Sequence, residues 1–93
     1  MSGKFDQVPV DPETEVRKSR RVEVDGYPAL HQQWNWQGIS GESLIFADND
    51  IAELSNTALK QRVQGSDLAR GKGPVMLQRP GTGFALVHFN HGA

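Results

Sequence analysis

The spacing of apolar residues changes twice along this chain and divides it into strand, helix and strand. Val22 and Val24 alternate with Glu23 and Asp25. A period of two marks a half-buried strand, because successive side chains point to opposite faces. Asp25-Gly26 follows, a dipeptide that accepts the positive φ angles of a type I′ turn. The return strand is predicted over Tyr27 to Gln37. On it Leu30, Gln32, Trp34 and Trp36 share one face, and Ala29, His31, Gln33 and Asn35 share the other. The second face is the more polar and reads as solvated or as an interface. Pro28 cannot donate to a ladder, which sets that end of the strand at an edge.

A turn over residues 38–43 (GISGES) then leads into Leu44-Ile45-Phe46-Ala47. A short apolar run with β-branched and aromatic members, bounded by Gly and Asp-Asn, predicts a strand buried on both faces. Helical spacing begins after it. Ser55 is a good N-cap, Thr57 to Val63 suit a helix, and Gly65 supplies the stop. Leu54 and Leu59 are placed for a hydrophobic staple, and Leu59 with Val63 forms a narrow apolar stripe that needs a sheet beneath it. Residues 65–74, GSDLARGKGP, read as a loop.

Residues 75–90, VMLQRPGTGFALVHFN, predict a C-terminal hairpin. Its second strand is apolar on both faces, which places it at the centre of a covered sheet. A two-residue turn at Gly81-Thr82 sets Leu77 opposite Leu86 and Met76 opposite Val87. In that register Leu86→Asp is expected to unfold the domain by burying an unpaired charge.

The predicted fold is therefore α+β, about β-β-β-α-β-β: a small antiparallel or mixed sheet with one helix packed on a face. A small, partly open barrel is the alternative. Residues 1–16 carry Pro9 and Pro12 among acidic and small residues and read as a flexible or edge-pairing N-terminal tail. Residues 17–93 form the single domain.

Composition narrows the chemistry. With 93 residues and no cysteine there is neither a disulfide framework nor a thiolate zinc site. A chain this short buries roughly 60–65% of its unfolded surface, so association with a partner or a second copy would be a natural supplement. The formal net charge of -1 argues against binding driven by phosphate neutralisation. Charge is nevertheless segregated. Arg17, Lys18, Arg20 and Arg21 form a basic cluster, Glu42, Asp48, Asp50 and Glu53 an acidic stretch, and Lys60, Arg62, Arg70, Lys72 and Arg79 a second basic set. Such charges either pair on a solvated surface or make a two-sided docking surface. No apolar run approaches the ~20 residues that span a bilayer, and no basic-then-apolar signal is present. A soluble, cytoplasmic protein is expected.

The motifs that could carry chemistry are each incomplete. Asp48-Asn49-Asp50 resembles the start of a calcium loop, but Glu53 and Leu59 occupy the positions that require Gly and Glu. Gly65 to Gly73 is one residue too long for a phosphate loop and has Gly73 where Ser or Thr should stand. His88 and His91 point to opposite faces of a strand, the wrong geometry for a shared metal with His31. No nucleophile elbow exists. No catalytic residue, metal site or cofactor is assigned, and the expectation is not an enzyme. The leading expectation is a protein-interaction module of inhibitor, immunity or regulatory type. Its site would comprise His31, Gln33, Trp34, Asn35, Trp36, Arg70 and Lys72, and its partner another protein or a second copy. The alternative is single-stranded nucleic-acid binding, with Arg17, Lys18, Arg20, Arg21 and Arg79 on phosphates and Trp34 and Trp36 stacked on bases.

Overall fold

The computed structural model describes residues 13–47, 51, 54–79 and 84–92. Its elements are β1 (Thr14–Val24), β2 (Tyr27–Trp36), β3 (Ile39–Phe46), helix α1 (Asn56–Gln64), β4 (Met76–Gln78) and β5 (Ala85–Gly92). They form one five-stranded sheet in the order β1-β2-β3-β5-β4, every neighbouring pair antiparallel. This is the expected α+β fold. β1 takes in Thr14 to Val16 from the stretch read as tail; residues 1–12 lie outside the described residues.

Two tight turns build the first three strands into a meander. Asp25 (φ 54) and Gly26 (φ 84) close β1 on β2, as the dipeptide predicts. Gln37 (φ 51) and Gly38 (φ 83) close β2 on β3 in the same way, so the turn expected over 38–43 is shorter and earlier. Both turns need positive φ at two successive residues, and their twist matches that of the flanking strands.

The helix forms where its capping residues place it. The Ser55 hydroxyl accepts from the Ala58 amide at 3.2 Å, and the Gly65 amide donates to the Gln61 carbonyl at 3.1 Å. Leu59 and Val63 are fully buried, with Leu54 packed against the same cluster. Arg62 pairs with Asp25 and lies over the Tyr27 ring, tying the helix to the first turn. Arg79 donates to the Leu54 carbonyl and the Asn56 side chain beside the helix start.

The core lies between this helix and one face of the sheet. Val24, Ala29, Leu44, Phe46, Ala85, Val87 and Phe89 supply the sheet side, and Ile51, Leu59, Val63, Ala69 and Val75 the other. Each fully buried large side chain stabilises by about 1.5–3 kcal/mol, so Phe46, Phe89 and Leu44 dominate. Ala69 and Leu68 belong to this core although they sit in a stretch read as a plain loop. Hydrogen bonds from Ala69 and Arg70 back to Ser66 fold that stretch into consecutive turns that deliver them.

Two expectations for the C-terminal hairpin are corrected. The middle strand is β3, and β5 lies between β3 and the short edge strand β4. The register is Leu77 with Val87, Met76 with His88 and Gln78 with Leu86, one residue from that expected. A one-residue slip exchanges the faces of a strand. Because β5 is apolar on both sides, its pattern could not choose. In the observed register Ala85, Val87 and Phe89 point to the helix, while Leu86 and His88 point away and are only half-buried. The turn proposed at Gly81-Thr82 lies outside the described residues.

Candidate functional site

The two sheet faces carry different chemistry. The helix-side face becomes polar beyond Leu44. The Glu42 carboxylate accepts from His31 Nε2 at 2.7 Å, from Asn90 Nδ2 at 2.7 Å and from Lys72 Nζ at 3.2 Å. His31 is 7% exposed and Glu42 6%. The imidazole also stacks on Phe89, centroids 6.0 Å apart and planes 8° apart, and Lys72 reaches over the same ring. The face of β2 read as solvated is therefore corrected. Ala29 and His31 point into the core layer, because a buried histidine held by a carboxylate looks, in a sequence, like any surface polar residue. Burial alone would raise the Glu42 pKa, but hydrogen bonds from Asn90, His31 and Lys72, with the Lys72 charge, leave it below the usual carboxylate value. An ionised carboxylate only accepts, so His31 Nε2 carries the proton they share.

Next to His31 the helix-side surface opens into a cavity of about 490 Å³ lined by Lys18, Ser19, Arg20, His31 and Gln33. Strand register makes this lining: Lys18 pairs with Gln33 and Arg20 with His31. Residues two apart on a strand share a face, so the four side chains stand together.

The opposite face has no helix on it among the described residues. Leu30, Trp34, Trp36, Ile39 and Leu86 are half-buried there, and Val16 and Met76 are exposed at 40% and 53%. A hydrogen-bond chain crosses it over four strands. The Trp34 indole donates to Ser43 Oγ at 2.6 Å, Ser43 is 2.5 Å from His88 Nδ1, and His88 Nε2 is 3.0 Å from Gln78 Oε1. Gln78 Oε1 only accepts, so His88 Nε2 donates to it, and Nδ1 of that tautomer accepts from the Ser43 hydroxyl. Trp34 meets His88 edge to face at 5.8 Å. His88 is thus satisfied, on the open face rather than in the core. The Trp36 indole N–H is buried with no hydrogen-bond partner among the described residues.

The residues singled out from the sequence fall into separate places. Trp34 and Trp36 share the open face. His31 and Gln33 line the cavity. Asn35 braces the second turn through Ser40 and the Gly38 amide. Lys72 reaches Glu42, whereas Arg70 pairs with Asp67 and the Gly65 carbonyl at the surface, so these two do not meet. The basic cluster is divided by strand alternation: Lys18 and Arg20 face the cavity, Arg21 the other side, and Arg17 pairs with Glu15 beside a register shift. Arg79 stands apart at the helix start. The buried partners Glu42, Ser43 and Asn90 had no signal beyond their polarity. Asp48, Asp50 and Glu53 lie outside the described residues, as does the His91 side chain. Among the described residues no group of three or more His, Asp or Glu is placed to hold a metal, and no helix is long and apolar enough to cross a membrane.

Comparison with protein-family models, curated proteins and solved structures finds no match for this chain.

Proposed function

We propose that this chain is a non-enzymatic protein-interaction module, of inhibitor, immunity or regulatory type, that docks a protein partner on the open face of its sheet. The observation that carries the reading is the unequal cover of the two faces. A helix and the 65–75 segment bury one side, while the other presents Trp34, Trp36, Leu30, Ile39 and Met76 without a second layer among the described residues. Half-exposed aromatic and Met side chains ringed by polar groups are the composition that protein interfaces favour. The hydrogen-bond chain from Trp34 to Gln78 holds the aromatic anchor in one orientation, which lowers the ordering cost of binding.

The partner is another protein or a second copy of this chain, and one experiment separates them. A photo-crosslinking residue replaces Val16 on the open face and, in a control chain, Gln61 on the exposed side of α1. In lysate of the source cells the Val16 probe is expected to give a discrete adduct that the Gln61 probe does not. Its mass tells a second copy from a different protein. Equal adducts from both positions, or none from Val16, would overturn the reading.

A further inference from the structure

Beyond the docking face, we infer that the cavity on the helix side binds a phosphate-class dianion, held by Lys18 and Arg20 of β1 against His31 of β2. The cavity of about 490 Å³ has room for inorganic phosphate or a small phosphomonoester. Two cations and an imidazole line it, and among the described residues no carboxylate does. Neither Lys18 nor Arg20 has an ion-pair or hydrogen-bond partner among the described residues, while most other basic side chains in this chain are engaged. Two unpaired cations side by side repel each other, and an anion between them removes that repulsion.

His31 makes this more than a solvated basic strand. It is 7% exposed, yet it forms part of the cavity wall. Its ring is fixed from behind by Glu42 at Nε2 and by the stack on Phe89. Nδ1 has no hydrogen bond to a described residue. With Nε2 committed to Glu42, Nδ1 is the ring nitrogen left to meet a ligand. The carboxylate behind His31, that of Glu42, is already shared among His31, Asn90 and Lys72.

The donor set favours a tetrahedral anion over a planar one. A guanidinium, an ammonium and the Gln33 amide approach from two adjacent strands, and the oxygens of a phosphate can meet them together. A carboxylate presents two oxygens in one plane and meets fewer. A phosphodiester has a single charge and two substituents to place, so a nucleic-acid strand fits less well.

The test is an NMR titration of the folded chain with inorganic phosphate in about 0.15 M salt, where diffuse attraction is screened. Saturable shifts are expected at the His31 ring and at the backbone amides of residues 18–20 and 33. Arg20→Gln and Lys18→Gln are each expected to weaken binding about tenfold, the loss of one charge-assisted contact. Arg70→Gln, remote from the cavity, should leave it unchanged. Lys18 and Arg20 are exposed, so both variants should melt like the parent chain. Acetate should compete poorly. Shifts that do not saturate, or that persist in the Lys18→Gln, Arg20→Gln double variant, would overturn the inference. So would a thymidine oligonucleotide that binds these residues without competition from phosphate, since the site would then read a polymer backbone.

Discussion

The two faces of this sheet share strands but not physics. On the helix side, side chains are sealed: Leu44, Phe46, Val87 and Phe89 are fully buried, and the one carboxylate among them is given three donors. On the open side Ile45 is buried at the strand centre, but Leu30, Trp34, Trp36, Ile39 and Leu86 around it stop at half burial, and the polar groups form a linear chain that ends at Gln78. The difference shows that apolar content alone does not locate a core. Cover does, and the helix and the 65–75 segment provide it for one face only.

The largest effects should come from exchanging the faces. Leu44→Asp places a charge in the sealed layer and is expected to abolish cooperative unfolding, since an unpaired buried charge costs several kcal/mol and the chain's whole stability is only about 5–15 kcal/mol. Leu86→Asp, on the half-buried side, should keep a cooperative thermal transition at lower temperature. If both variants unfold alike, the faces do not differ as described.

Glu42→Gln should cost about 1–3 kcal/mol at neutral pH, because His31, Asn90 and Lys72 lose a charged acceptor. The folded-state carboxyl lies below its ordinary value of 4.5, so its contribution is present above that value and is lost as pH falls through the folded one. Denaturant titrations should therefore show the gap between parent and Glu42→Gln narrowing as pH is lowered from 5 towards 3. A gap that holds constant would show that the carboxylate charge is not what stabilises.

Ser43→Ala interrupts the chain on the open face and leaves the Trp34 indole and His88 without their shared partner. About 1 kcal/mol is expected, with a change in Trp34 fluorescence that Glu42→Gln does not produce. The smallest effect is a gain. Gln37 holds φ 51 without glycine, and Gln37→Gly should stabilise the second turn by about 0.5–1 kcal/mol, read as a raised melting temperature.

The elements legible in the sequence were those fixed by local chemistry. Asp25-Gly26, Ser55 with Gly65, and the apolar run at Leu44 each carry their structural reason within a few residues. What was hidden depends on contacts distant in sequence. Gln37-Gly38 escaped notice because Gln is an unusual choice at positive φ. The β4–β5 register was undecidable while both faces of β5 read as apolar. Leu68 and Ala69 were masked by the glycines around them. His31 read as surface because its partner Glu42 lies eleven positions away, on another strand. The site suffered more than the fold for the same reason. Strand alternation divides Arg17 to Arg21 between two faces, and only the pairing of β1 with β2 shows that Lys18 and Arg20 stand with His31.

The most direct test of the docking face combines stability and binding in one chain. Met76→Asp, at a site 53% exposed, is introduced into the protein carrying the crosslinking residue at Val16. The account predicts a melting transition close to that of the unsubstituted chain together with loss of the crosslinked adduct. A Met76→Asp chain that melts normally and still forms the adduct would contradict it.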